Sequence, residues 1–147
     1  MKKIIPDDVA SYINMTCDMA ERNKNVVYEN ELFICVKDVK HKSETDYHYV
    51  AWCKKDLRSL LDLERKHLKY IKNLKLVMYH KFGLIYENTE MFIHFPPSYW
   101  RLHIHFVPRP HVSHVYHQLY FINNIINLLE INEEFYRMYV IIDKAKL

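Results

Sequence analysis

Residues 94–106 read HFPPSYWRLHIHF and contain the most informative pattern in the chain. Its second half alternates polar and apolar residues, and successive side chains of a strand point to opposite faces of the sheet. A strand over residues 101–107 therefore places three polar side chains on one face, namely Arg101, His103 and His105. The apolar residues between them face the other side, so this segment predicts a strand with two neighbouring imidazoles.

A second strand is predicted just before this one, because residues 90–95 are again mostly apolar and aromatic and end near a histidine. The pair Pro96-Pro97 then stops strand pairing and requires a tight connection. We therefore expect five side chains to meet at one edge of a hairpin-like unit: His94, Ser98, Tyr99, His103 and His105.

The composition excludes several classes of function. The chain has 147 residues, of which 50% are hydrophobic and 14% aromatic, enough for one globular domain with a packed core. Gly83 is the only glycine, so glycine-rich phosphate loops of the Walker or Rossmann type are excluded. The net charge of +3 favours anionic ligands slightly and is too small to predict a surface for duplex nucleic acid.

Cysteine usage and the absence of targeting patterns suggest an intracellular location. Cys17, Cys35 and Cys53 are far apart and no pair has zinc-motif spacing, which favours reduced thiols. The basic N-terminus reaches Pro6 and two acids before any long apolar run, so no signal peptide is predicted. No apolar run is long enough to span a bilayer. We expect a soluble protein of the cytoplasm or nucleus with no membrane partner.

Periodicity predicts the remaining elements. They are a helix over residues 9–22, strands over 26–28, 32–36 and 47–52, a short helix capped by Asp56, a long helix from residue 62 or 63 to about 82 with Gly83 as its C-cap, a loop over 111–116, a helix over 119–130 and a closing strand over 136–142. Short links between neighbouring strands favour an antiparallel sheet. We therefore predict an α+β fold in a single domain over residues 1–147.

The sequence of residues 94–106 resembles the histidine-triad signature of the scavenger mRNA decapping enzymes, a branch of the HIT superfamily. In that branch a His and a Pro-Ser-Tyr segment lead into a strand of His-apolar-His-apolar-His, and Arg101 stands where the first of those histidines usually lies. Residues 33–40 (FICVKDVK) and 56–63 (DLRSLLDL) also resemble family segments. The similarity runs from about Tyr12 to Ile142 and covers the catalytic domain only, so the family's N-terminal dimerisation domain is expected to be absent.

This resemblance implies an HIT-like fold, an antiparallel sheet with a long helix and flanking helices, and a hydrolase that needs neither metal nor cofactor. It implies that His103 is the nucleophile, forming a phospho-histidine type of intermediate that water then hydrolyses. His105 would be its phosphate-side partner, while His94, Ser98 and Tyr99 would contact the substrate. The implied substrate is a cap dinucleotide or short capped RNA that is cleaved to 7-methyl-GMP, and a homodimer is expected.

The resemblance also implies a site for 7-methylguanine, a flat cationic base held by stacking and by carboxylates. The matched positions are Tyr12 for stacking, Val39 for the opposite wall, and Asp38 and Lys40 for the nucleoside. Glu21 would read the edge of the base if one residue is inserted, whereas the gap-free register gives Arg22. Lys40 and Arg109 are the candidates for phosphate contacts.

Alternatives remain open for the site and for the function. His-x-His on a strand is also a geometry for zinc, with His94 as a third ligand, although no acid or cysteine lies at a convincing spacing. The other histidine cluster is expected to be solvated and comprises His111, His114 and His117. A HIT hydrolase of dinucleoside polyphosphates or nucleoside phosphoramidates is the first functional alternative, and a cap-binding module that no longer cleaves is the second.

Overall fold

The computed structural model describes residues 26–38, 40–82, 88–95, 97, 101–109 and 118–139. Within these ranges six strands form one sheet, and every neighbouring pair is antiparallel. The strands are β1 (Val26–Glu29), β2 (Phe33–Lys37), β3 (Tyr49–Cys53), β4 (Thr89–Phe95), β5 (His103–Pro108) and β6 (Gln118–Phe121). Their order across the sheet is β1-β2-β3-β5-β4-β6. The predicted α+β architecture with an antiparallel sheet is confirmed.

Helices cover one face of this sheet. They are α1 (Leu68–Phe82), α2 (Ile122–Ile131) and the short α3 (Phe135–Tyr139), with two 3-10 turns before α1 at Leu60–Asp62 and Arg65–His67. The apolar residues of α1 recur every three or four positions, which aligns them in one stripe: Leu68, Ile71, Leu74 and Met78. This stripe is buried in the same core as Phe33, Ala51 and Ile104 of the sheet. Within the described residues, no helix is both long enough and apolar enough to cross a bilayer.

The opposite face of the sheet carries a second, smaller apolar cluster, formed by Ile34, Val36, Val50 and Trp52. The strand register aligns Val50 with His105 and Trp52 with His103. Because paired residues of neighbouring strands share a face, both histidines lie on this second face, away from α1 and α2. The predicted strand alternation around the two histidines is therefore confirmed.

Strands β1 and β2 form a hairpin, and its turn has a local cause. The side-chain oxygen of Asn30 accepts the backbone N–H groups of Leu32 and Phe33, each at 2.8 Å. An asparagine that bonds to the backbone two and three residues ahead favours a turn over a continuing strand. The strands predicted over residues 47–52, 90–95 and 101–107 are also found, with ends that differ by one or two residues.

The prediction of a helix over residues 119–130 was partly wrong. Gln118–Phe121 forms strand β6, which pairs with the end of β4 through Phe92–Phe121 and His94–Leu119. The helix begins only at Ile122. Pairing with β4 gives the backbone N–H and C=O groups of this segment hydrogen-bond partners on a neighbouring strand. This long-range interaction outweighs the local preference for a helix.

The predicted closing strand over residues 136–142 was wrong where the structure describes it. Phe135–Tyr139 is helix α3, and residues 140–142 lie outside the described residues. Asn132 starts this turn, because its carbonyl accepts from Phe135 and its side chain from Glu134. Tyr136 is then buried in the core, with its ring 5.6 Å from that of Tyr120.

The region before the long helix also differs from the prediction. Instead of a helix capped by Asp56, there is a 3-10 turn whose cap is Ser59, with its hydroxyl accepting from the Leu61 N–H at 3.1 Å. The long helix begins at Leu68 rather than at residue 62 or 63, after the second 3-10 turn. The predicted first helix over residues 9–22, the Gly83 cap and the loop over 111–116 lie outside the described residues.

Replacing Ser59 with alanine is expected to lower the free energy of unfolding by about 1 kcal/mol, because a buried cap oxygen is lost. Asp56→Ala is the matched control and should change stability by less than about 0.5 kcal/mol, since Asp56 is exposed and its ion pair is with the exposed Arg58. Urea unfolding measures both. Equal effects of the two substitutions would contradict the assignment of the cap to Ser59.

Candidate active site

Three histidine rings lie together on the face of the sheet opposite α1 and α2. The ring centroids of His103 and His105 are 4.9 Å apart, and those of His94 and His105 are also 4.9 Å apart. Strand alternation on β5 and the pairing of β4 with β5 produce this arrangement, because Phe92 is directly opposite His105 and His94 follows two residues later. The structure thus brings together the three histidines that the sequence predicted to meet.

His103 is held by its own backbone neighbourhood. Its Nδ1 lies 2.7 Å from the carbonyl oxygen of Arg101, so Nδ1 carries the proton and donates it to this carbonyl. The ring also stacks on Trp52, with centroids 4.5 Å apart and planes at 29°. With Nδ1 fixed as the donor, the neutral ring keeps its lone pair on Nε2, which is the arrangement that a nucleophilic histidine requires.

Burial sets the protonation of His103. Only 8% of the residue is exposed, and desolvation lowers the pKa of His103 below its ordinary value of 6.5. The hydrogen bond to the Arg101 carbonyl and the negative charge of Asp38 act in the opposite direction, but desolvation is the largest effect. His103 is therefore neutral at physiological pH and able to attack an electrophile.

His105 lies between aromatic neighbours and a fourth histidine. Its ring stacks on that of Phe92, with centroids 5.2 Å apart and planes at 18°. Its Nδ1 is 3.1 Å from Nε2 of His48, a residue just before β3. The ring is less buried than that of His103, and its position two residues further along β5 keeps it on the same face.

Arg101 does not extend β5 but anchors the start of it. Its guanidinium Nη1 donates to the carbonyl oxygens of Cys53 at 3.1 Å and Lys55 at 2.7 Å, and the residue is 9% exposed. The side chain thus ties the peptide before β5 to the end of β3. Because the Arg101 carbonyl receives the His103 Nδ1–H, this anchor also fixes the orientation of the His103 ring.

Among the residues predicted to contact the nucleoside, Asp38 lies close to the histidine cluster. The Asp38 carboxylate lies 4.0 Å from Nδ1 of His48, and its charge acts on His103. Lys40 is exposed in the same turn, and its backbone N–H donates to the Asp38 carboxylate at 3.1 Å. Five predicted contacts lie outside the described residues: Tyr12, Glu21, Val39, Ser98 and Tyr99.

Arg109 is placed in a different environment from the histidines. Its Nη2 is 3.5 Å from the carbonyl of Thr89, and its backbone N–H donates to Asn88. It lines a cavity of about 230 Å³ together with Tyr79 and Met91, and Met91 packs in the core below the helices. Arg109 also follows His105 by four residues, a separation of about 13 Å along a strand.

Sequence reasoning missed His48 and Trp52 as site residues. His48, Val50 and Trp52 are spaced two residues apart, so a strand through them places all three side chains on one face. That part was visible in the sequence. What was not visible is the register that sets Trp52 opposite His103, because it depends on two segments separated by some fifty residues.

The zinc alternative gains no support from the described part of the chain. There, no group of three or more His, Cys, Asp or Glu side chains is arranged to hold a metal ion. The cluster of His111, His114 and His117 lies outside the described residues.

Stability should depend on pH through the buried histidines. The pKa values of His67 and His103 are both lowered below 6.5, in each case mainly by burial. The folded state therefore binds fewer protons than the unfolded chain below pH 6.5, and its stability falls as the pH falls through this window. Urea unfolding at several pH values should show this loss, and His103→Gln should make the dependence shallower. An unchanged pH dependence in that variant would contradict the burial of a neutral His103.

The domain consists of an antiparallel sheet on which one histidine, bonded to a backbone carbonyl, lies beside a second histidine. Residues 12–120 match the family described as Scavenger mRNA decapping enzyme C-term binding. Because this match spans well over half of the chain, the chain belongs to that family. The resemblance seen in the sequence is thereby confirmed.

Individual relatives agree with this family. The m7GpppX diphosphatase of Homo sapiens is 27% identical over 92 residues, covering 55% of this chain and 27% of that protein. The m7GpppX diphosphatase of Caenorhabditis elegans is 25% identical over 114 residues, covering 71% of this chain and 37% of that protein. The chain thus spans about a quarter to a third of the length of these curated relatives.

Among solved structures, the chain aligns with the crystal structure of the aprataxin ortholog Hnt3 from Schizosaccharomyces pombe. The TM-score is 0.46 and the sequence identity is 22%, with 75% of this chain and 61% of that chain covered.

Proposed function

We propose that this chain hydrolyses the 5′ cap of short capped RNA, or the cap dinucleotide, at the pyrophosphate bond next to 7-methylguanosine. The products are 7-methyl-GMP and a nucleoside diphosphate or RNA diphosphate end. The family and its m7GpppX diphosphatase relatives support the substrate class. The single observation that carries the chemistry is the 2.7 Å hydrogen bond from His103 Nδ1 to the Arg101 carbonyl, which leaves Nε2 as the nucleophilic atom.

The first step forms a bond between His103 Nε2 and the phosphorus attached to 7-methylguanosine. The bond from this phosphorus to the bridging oxygen breaks, and the diphosphate leaves with its electron pair. The ring becomes positively charged, and its Nδ1–H then donates more strongly to the Arg101 carbonyl, which stabilises the intermediate. His105, with its ring centroid 4.9 Å away, donates to a phosphate oxygen or to the leaving group.

In the second step a water molecule attacks the same phosphorus. The bond to His103 Nε2 breaks, the ring returns to its neutral form, and the water proton passes to solvent or to a neighbouring base. Dividing the hydrolysis into two displacements replaces one difficult step with two easier ones. Within this proposal His94 and Ser98 contact the flanking phosphates.

Specificity for the methylated base is assigned to the turn after β2. Asp38 supplies a carboxylate beside the histidines, and a cationic 7-methylguanine is attracted by such a charge. Tyr12, Val39 and Glu21 remain the proposed stacking and edge contacts, with Lys40 at the nucleoside. A homodimer is also expected from the family resemblance, and a location in the cytoplasm or nucleus is expected from the cysteine usage.

The test is hydrolysis of m7GpppG, GpppG and a dinucleoside polyphosphate in the presence of a chelator, with the products resolved by chromatography. We expect 7-methyl-GMP as the product and a preference of about tenfold or more for the methylated cap. Cleavage without methyl preference would retain the nucleophile and overturn the cap specificity. Cap binding without any cleavage would overturn the hydrolase proposal in favour of a binding module.

A further inference from the structure

A fourth histidine, His48, connects the turn after β2 to the candidate active site. Its Nε2 lies 3.1 Å from Nδ1 of His105, and the two ring centroids are 5.4 Å apart. On its other side, Nδ1 of His48 lies 4.0 Å from a carboxylate oxygen of Asp38. Three groups thus follow one another in a row, from Asp38 through His48 to His105.

The backbone holds this row in place. The Asp38 N–H donates to the carbonyl of His48 at 2.9 Å, so the two ends of the loop between β2 and β3 are joined. The His48 N–H in turn lies 3.2 Å from Nδ1 of His41, a residue inside the same loop. The His48 side chain is 13% exposed, so water competes little for its ring nitrogens. The ring therefore has one well-defined position against His105.

The carboxylate decides how protons are distributed along the row. A negative charge near Nδ1 of His48 favours the proton on that nitrogen, which leaves Nε2 as an acceptor. His48 Nε2 then accepts from Nδ1–H of His105. With its Nδ1–H committed in this way, the His105 ring is held in one orientation against His48.

We propose that His48 is a positioning residue for His105, with Asp38 fixing the proton arrangement of His48. The inference rests on the proposed hydrolysis for its kinetic consequence, but the geometry of the row stands apart from the substrate. In this arrangement the loop that carries the nucleoside contacts Asp38 and Lys40 is coupled directly to the phosphate-side histidine. Binding of the nucleoside and the orientation of the phosphate-side histidine therefore depend on the same loop.

The kinetic test compares His48→Phe, which keeps a ring without nitrogens, with His48→Gln, whose amide oxygen reaches the same distance as Nε2. We expect His48→Phe to lower kcat by about 10- to 100-fold with KM changed less than about threefold, because misorientation of a reacting group costs that much. His48→Gln should restore part of the loss. His80→Phe, on the exposed surface of α1, is the control and should leave kcat unchanged.

A double-mutant cycle separates positioning from general structural damage. If His48 acts through His105, then His48→Phe should have little further effect in a His105→Ala background. Fully additive losses in the cycle would overturn the proposal, as would a His48→Phe enzyme with normal kcat.

A direct measurement keeps the inference testable if the proposed function fails. Nitrogen-15 NMR of the histidine rings reports which nitrogen of His105 carries the proton and whether Nδ1 is hydrogen-bonded. We expect a bonded Nδ1–H on His105 in the native protein and its loss in His48→Phe. An unchanged His105 spectrum in the variant would overturn the positioning role, whereas absent hydrolysis with the expected NMR change would overturn only the proposed function.

Discussion

Replacing His103 with alanine is expected to lower kcat for m7GpppG by at least about 1,000-fold, because the atom that forms the covalent bond is removed. The Arg101 carbonyl fixes the proton of His103 on Nδ1, so the lone pair that the proposed reaction uses lies on Nε2 of this residue. Binding of the cap analogue should change much less, because His103 contacts the phosphorus only during reaction. Kinetics and equilibrium binding on the same preparation measure both effects.

The control for this variant is His80→Ala, a histidine on the exposed surface of α1. It should retain normal kcat and normal stability. A His103→Ala enzyme that hydrolyses m7GpppG normally would show that the nucleophile has been assigned to the wrong residue. A variant that has lost both binding and the folded state would be replaced by His103→Asn, whose amide nitrogen lies near the position of Nδ1 and can still donate to the Arg101 carbonyl.

Replacing Arg101 with methionine is expected to lower the free energy of unfolding by about 2–5 kcal/mol. The substitution keeps a long side chain but leaves the carbonyls of Cys53 and Lys55 without the guanidinium donor, and each lost buried bond costs about 1–3 kcal/mol. Urea unfolding measures the change. Because the Arg101 peptide also orients His103, kcat should fall in the variant even under conditions where it is fully folded.

Arg58→Met is the matched control for that experiment. The side chain of Arg58 is 44% exposed and pairs with the exposed Asp56, so its loss should cost less than about 1 kcal/mol and leave kcat unchanged. Equal losses of stability in the two variants would contradict the anchoring role of Arg101.

Local patterns were sufficient for much of the fold. The alternation after residue 101 placed His103 and His105 on one face, and the apolar spacing of α1 located the long helix. Asn30 marked the first hairpin through its own side-chain bonds. In each case the deciding interaction lies within a few residues of sequence, which is why a single sequence reveals it.

The errors fall where distant partners decide the structure. Gln118–Phe121 is a strand because it pairs with the edge of β4. Its own residues are equally compatible with the start of a helix. Arg101 was read as a strand residue, whereas its side chain is directed by carbonyls of the segment after β3. His48 lies beside His105 because β3 pairs with β5. No local sequence pattern specifies the register of this pairing.

The stereochemistry of hydrolysis shows whether the reaction passes through a bond between His103 and phosphorus. A cap dinucleotide with sulfur at the phosphorus next to 7-methylguanosine, as a single diastereomer, is hydrolysed in oxygen-18 water and the configuration of the released phosphorothioate is determined. Two successive in-line displacements predict overall retention of configuration. Overall inversion would mean that water attacks the substrate directly, and would contradict the covalent role of His103.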